Sequence, residues 1–135
     1  MAKEMTTAPG IRRAARWGFL VMGGVLLFWL PIEDTNLAGV QIMALTLCLL
    51  AGIHYSKEIS ARNGIIPLTL YGLAIGSLAV PLAIFLMIMK NGLHGHATSD
   101  YSFADIREIF RLAPYWGFAG ALIGLGAWHW LRRWV

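Results

Sequence analysis

The chain has 135 residues, of which 58% are hydrophobic and 13% charged, with a net charge of +4. A water-soluble domain has roughly a quarter of its residues charged, so this composition excludes most soluble folds. The high apolar content excludes a disordered chain, and a single cysteine, Cys48, excludes a disulfide scaffold. The composition therefore predicts an integral membrane protein.

Four stretches without Asp, Glu, Lys or Arg follow one another along the chain. A membrane-spanning helix needs about 20 residues, because it rises about 1.5 Å per residue through a layer of roughly 30 Å. The stretches predict spans at about 15–32, 36–56, 64–89 and 112–132. The predicted fold is an all-α integral membrane protein, with a single domain over 1–135. It has four transmembrane helices in an antiparallel bundle and a short external amphipathic helix.

The basic residues are concentrated on one side of the predicted spans. Lys and Arg precede the first span, lie between the second and third, and follow the fourth, whereas the first link carries Glu33 and Asp34. The positive-inside rule then places both termini in the cytoplasm. Tryptophans near both predicted interfaces are typical of aromatic belts. The pattern favours a bacterial inner membrane, where the basic charge serves topology and lipid contact and not nucleic-acid binding.

Small residues recur at helical spacing in three of the spans. Inside lipid, helices associate largely through close contact between small residues. The predicted packing residues are Ala44, Cys48, Gly52, Gly72, Gly76, Gly120 and Gly124. These faces predict packing within the chain or, for at least one of them, contact with a second subunit.

The connection before the last span is long enough to hold structure of its own. Ser102 followed by Asp105 approximates a capping box, which predicts a helix at about 102–112. The apolar residues of this helix project onto one arc and are Phe103, Ile106, Ile109 and Phe110. The pattern favours a helix lying in the membrane interface. A lid over the bundle, a docking surface for a partner and an ordinary loop are the alternatives.

The charge-free stretches that define the spans contain few polar side chains, and no carboxylate lies within any predicted span, which argues against proton-coupled transport. The polar residues most open to a functional reading are Gln41, Thr46, Thr69, Tyr71 and Ser77. Such residues either hydrogen-bond neighbouring helices together or line a narrow polar path.

The histidines allow two cofactor hypotheses. His94, His96 and Asp100 carry side chains that ligate zinc or copper, and the alternatives for this segment are a pH sensor and a solvated polar loop. His54 and His129 end two different spans at similar predicted depth, where paired imidazoles could ligate a b-type haem. Neither histidine shares a face with the small residues of its helix, so no cofactor is predicted.

The chain contains no motif of a hydrolase, a metalloprotease or a nucleotide-driven enzyme. The predicted function is therefore non-catalytic. The protein is expected to be an accessory or modulatory subunit of a membrane complex, acting through helix packing and its external amphipathic segment. A small homo-oligomeric channel or uncoupled transporter and a bis-histidine haem electron carrier stay open as alternatives. Expected partners are the lipid bilayer and either other membrane subunits or a second copy.

Overall fold

The computed structural model describes residues 9–32, 36–55, 64–94 and 101–132. Five helices follow one another there: α1 Pro9–Trp29, α2 Leu37–Tyr55, α3 Ile65–His94, α4 Phe103–Arg111 and α5 Ala113–Arg132. No strand occurs within these ranges, so the predicted all-helical class is confirmed. Two stretches, Leu37–His54 in α2 and Ile65–Leu93 in α3, are long and apolar enough to cross a membrane.

Helix α3 continues beyond its predicted span, since it covers 30 residues and ends at His94. The sequence predicts an end near 89, because the first charged residue, Lys90, follows there. The helix instead continues through Lys90 and Asn91, so this part of the predicted link belongs to α3. The first helix begins at Pro9, earlier than the predicted start. Proline suits the first helical position, since its missing N–H would find no partner within the helix there.

The four long helices pack in a row, in the order α1, α2, α3, α5. Consecutive members of this row bring Cα atoms within 8 Å of one another. Within the described ranges, α1 makes no such approach to α3 or α5, and α2 makes none to α5. A closed bundle needs contact between the first and last helices of the row. The structure therefore corrects the predicted four-helix bundle to an open row whose edges are α1 and α5.

The α3 and α5 helices meet backbone to backbone along a line of glycines, called here the glycine seam. Its members are Gly72, Gly76, Gly120 and Gly124. A Cβ atom added at Gly72 would overlap the carbonyl oxygen of Gly120, and one added at Gly120 would overlap that of Gly72. The other two glycines lie in the same way against the carbonyl oxygens of Trp116 and Leu68. The paired residue numbers rise in one helix as they fall in the other, so α3 and α5 are antiparallel.

The main apolar core lies at one end of the row, where α1 ends, α2 begins and α3 ends. Its buried members are Trp29, Val40, Met43, Ala44, Val80, Ala83, Leu86, Met87, Tyr101 and Ile109. The short helix α4 packs against α2 and α3 and adds Ile109 to this core. This part of the molecule also holds a buried lysine, Lys90.

Candidate functional site

A lysine is buried at the end of α3, between two aromatic rings. Lys90 has 0% of its surface exposed. Its Nζ lies 4.3 Å from the centroid of the Trp29 ring and 5.6 Å from that of the Tyr101 ring. An aromatic face carries partial negative charge and attracts an ammonium group, which offsets part of the cost of removing that group from water. The Lys90 ammonium thus joins the end of α1 to the segment that enters α4.

Asn91, the next residue of α3, binds the backbone of Tyr101 in the segment that enters α4. The Asn91 side chain donates from Nδ2 to the carbonyl oxygen of Tyr101 at 3.1 Å. It also accepts, at Oδ1, a hydrogen bond of 3.0 Å from the Tyr101 backbone N–H. A buried chain segment must satisfy both of these backbone groups. We define the Lys90 cluster as Trp29, Lys90, Asn91, Tyr101 and Ile109.

The start of α4 is fixed by a capping box, as its sequence predicts. The Ser102 Oγ accepts a hydrogen bond from the Asp105 backbone N–H at 3.3 Å. In return the Asp105 carboxylate accepts bonds of 2.7 Å from both the Ser102 hydroxyl and the Ser102 backbone N–H. These two bonds stabilise the ionised carboxylate and hold the pKa of Asp105 below its ordinary value. The bond from the Ser102 side chain has the larger effect and the bond from the Ser102 backbone has the smaller one.

The lowered pKa of Asp105 predicts how the cap responds to acid. Because the folded pKa lies below the unfolded one, the stabilisation is complete above the unfolded value and disappears as pH falls through the folded value. We expect the Asp105 carboxyl carbon to titrate by NMR with a midpoint below 3.8, the ordinary value. In Ser102→Ala the midpoint is expected to rise toward that value. A wild-type midpoint at or above it would contradict the cap.

The four apolar residues predicted to share one face of α4 divide into two pairs. Ile109 is 1% exposed in the core and Ile106 is half-buried against it. Phe103 and Phe110, by contrast, are 90% and 66% exposed. Docking on α2 and α3 therefore uses only the isoleucine side of the predicted arc, and the expected position in the membrane interface stays a prediction. The phenylalanine side faces away from the rest of the chain.

The predicted packing residues lie at two contacts of the row. Ala44 and Cys48 are buried within α2. Gly52, also in α2, faces α3, where a Cβ atom would collide with the Ile75 side chain. Beside it the Tyr71 hydroxyl donates a 2.7 Å hydrogen bond to the Gly52 carbonyl oxygen. The four remaining glycines form the seam between α3 and α5, so all of these contacts are made within one chain.

Two of the five polar residues of the predicted path, Tyr71 and Ser77, face different neighbouring helices. Thr46 and Thr69 donate to carbonyl oxygens of their own helices, those of Ile42 at 2.7 Å and Ile65 at 2.8 Å. Tyr71 bonds toward α2, whereas the remaining polar residue of α3, Ser77, lies beside Gly117 of α5. The last of the five, Gln41, is half-buried in α2.

The histidines of the haem hypothesis lie on helices that are not neighbours in the row. His54 of α2 packs its ring edge-on against Phe19 of α1, with 6.3 Å between centroids. His129 lies on α5, which has no Cα atom within 8 Å of α2 in the described ranges, and the haem hypothesis stays a prediction. Of the metal candidates, His96, Asp100 and the side chain of His94 lie outside the described part of the chain.

The residues of the Lys90 cluster other than Ile109 were not predicted as a site, although one signal points to them. The buried face of α3 runs through Ala79, Ala83, Leu86 and Met87. Lys90 lies four residues after Leu86 and three after Met87, so it continues the same face of the helix. A charged residue at the end of a span normally extends its side chain to the lipid headgroups. Lys90 was expected to do the same, so its place on the buried face of α3 was not predicted.

No protein-family model, curated protein or solved structure matches this chain. The chemistry of the site therefore has to be derived from its own side chains. The Lys90 cluster combines one cation, two aromatic rings, an amide and an aliphatic side chain. These groups suit the holding of α1, α3 and α4 in a fixed relation more than the making or breaking of bonds.

Proposed function

We infer that this chain is a non-catalytic accessory or modulatory subunit of a membrane complex, held in a bacterial inner membrane by four spans. The spans are α1, α2, α3 and α5, with both termini in the cytoplasm. Support comes from two span-length helices and from large apolar side chains exposed along the other two. Water-soluble monomers rarely expose such contiguous apolar surface. The one-sided distribution of Lys and Arg supports the orientation.

The open row of helices is the observation that carries the accessory role. Each edge helix packs against one long neighbour and exposes large apolar side chains on its other side. The exposed residues are Leu20, Val21, Leu27 and Phe28 on α1, and Phe118, Leu122 and Ile123 on α5. In a membrane such surfaces are covered by lipid or by helices of another subunit. An open row leaves two edges for a partner, whereas a closed bundle would have paired them with each other.

The outward side of α4 supports the same role. Tyr101 and Ile109 hold the helix against α2 and α3, while Phe103 and Phe110 point away from them. In the proposed orientation α4 lies at the level of the outer headgroups, where aromatic side chains are favoured. In its docked position, a helix with two exposed phenylalanines is suited to contact with a neighbouring subunit at that surface.

Site-specific photocrosslinking in native membranes tests the accessory role. A photoreactive amino acid is placed at Leu20 on the α1 edge or Phe118 on the α5 edge, with the buried Met87 as matched control. We expect a protein partner of defined mass to be crosslinked from an edge position and not from Met87. Co-purification of that partner in mild detergent should fall when Phe103→Ser and Phe110→Ser are combined.

Two other outcomes of the crosslinking experiment would contradict the accessory role or favour the channel in its place. Crosslinks to lipid alone, at both edges, would contradict the accessory role. Crosslinks to a second copy alone, together with solute flux in proteoliposomes that Gln41→Leu reduces, would favour the homo-oligomeric channel. The geometry supports that channel less, because Tyr71 and Ser77 face different neighbours.

A further inference from the structure

The short helix α4 is attached to the rest of the chain by few residues. Among its nine residues, Ile109 is the buried one. The preceding residue pair Tyr101 and Ser102 supplies the other attachment, since Tyr101 is held by Asn91 and lies beside Lys90. Helix α4 is therefore docked before its first turn by Tyr101 and along its isoleucine side by Ile109 and the half-buried Ile106.

Both ends of α4 are built so that the helix can move as a unit. The capping box of Ser102 and Asp105 satisfies its first turn from within the segment. At the other end Leu112 donates its backbone N–H to the carbonyl oxygens of Ile109 and Phe110, and it is the one residue between α4 and α5. Leu112 has a φ of −83° and a ψ of −6°, and as the position where one helix ends and the next begins it is where a change of angle between α4 and α5 would be absorbed.

The Lys90 ammonium connects elements whose backbones are not close neighbours in the described ranges. No Cα atom of α1 lies within 8 Å of α4 in the described ranges. Trp29, the last residue of α1, nevertheless reaches the ammonium from one side while Tyr101 reaches it from another. The end of α1, the end of α3 and the entry to α4 thus converge on a single Nζ atom.

We propose that α4 is a lid with a docked and an undocked state, and that the Lys90 side chain, held between Trp29 and Tyr101, is the latch that keeps it docked. Undocking withdraws Ile109 and uncovers an apolar patch of α2 and α3 that includes Val40 and Met87. The latch rests on contacts within this chain and goes beyond the proposed accessory role. It would hold whether or not that role is correct.

Hydrogen exchange of the full-length protein in lipid nanodiscs tests the latch. Undocking withdraws Ile109 from the core, so the backbone hydrogen bonds of α4 open more often and its amides exchange faster. In Lys90→Met, which keeps the length of the side chain and removes its charge, we expect roughly tenfold faster exchange over 103–111. Exchange over 37–55 in α2 should stay at the wild-type rate. Lys90→Arg, which keeps a cation over the rings, should exchange α4 much more slowly than Lys90→Met.

A second variant keeps the test decisive if Lys90→Met folds poorly. Asn91→Ala removes both hydrogen bonds to the Tyr101 backbone without touching the ammonium, and it should also speed exchange of α4 alone. Arg107→Ala, on the exposed side of α4, serves as the matched control and should leave exchange unchanged.

Two results would overturn the latch. One is wild-type exchange of α4 in both Lys90→Met and Asn91→Ala. The other is an equal rise in α2 and α4, because Lys90 would then support the whole fold and not a separate state of the lid.

Discussion

Gly120→Ala is expected to lower the free energy of unfolding by about 2–4 kcal/mol, because a methyl group there must push α3 and α5 apart. The added Cβ atom would overlap the backbone carbonyl of Gly72 and approach the Cα atom of Gly76 at 3.0 Å. A backbone cannot turn aside as a flexible side chain can, so the whole seam has to open. Unfolding in mixed micelles of mild detergent and dodecyl sulfate, followed by circular dichroism, measures the change.

Gly126→Ala supplies the matched control on the same helix. A Cβ atom at Gly126 would meet nothing within 4 Å, so this substitution tests the helix propensity of alanine without the steric term. We expect it to raise the free energy of unfolding by up to about 1 kcal/mol. If the two substitutions had the same effect, close backbone contact would not be what joins α3 to α5.

Tyr101→Ala is expected to lower the free energy of unfolding by about 3–5 kcal/mol, the cost of emptying a buried aromatic site. Tyr101 is 2% exposed and is one of the largest fully buried side chains among the described residues. Its removal leaves a cavity, takes one ring away from the Lys90 ammonium and loosens the attachment of α4. The same unfolding measurement reports the loss.

Phe103→Ala, two residues further on, is the comparison for that cavity. It removes an aromatic ring of similar size that is almost fully exposed, so the expected change in isolated protein is within about 0.5 kcal/mol. A large loss at Phe103, or a small one at Tyr101, would mean that the burial pattern around α4 is not the one described.

The sequence predicts the helices well, because the physical signals that define them are local. Charge-free apolar stretches mark the long helices, and Ser102 with Asp105 marks the start of α4. The end of α3 is predicted too early, because the end of a span is judged from the first charged residue that follows it, which is Lys90. A lysine can remain in a buried helix when aromatic rings from distant parts of the chain surround it, and this depends on tertiary structure.

The arrangement of the helices depends on pairings that no single stretch encodes. Small residues identify the faces on which Gly72 and Gly120 lie, but many other faces could pair in principle. The pairing of α3 with α5 leaves α1 without a second long neighbour, so the row stays open. The same pairing puts His54 and His129 on helices that are not neighbours in the row. In α4 the periodicity of the sequence identifies the apolar arc. Which of its residues become buried, as Ile109 does, and which stay exposed, as Phe103 does, depends on how the helix docks.

The glycine seam also bears on the order in which the chain is completed during synthesis. Its two halves come from the middle and the end of the sequence, around Gly72 and Gly120, and α4 is made between them. Until α5 has emerged from the ribosome, the glycine face of α3 has no partner in its own chain. A product truncated before α5 therefore leaves open the backbone groove on α3 that α5 fills in the finished molecule.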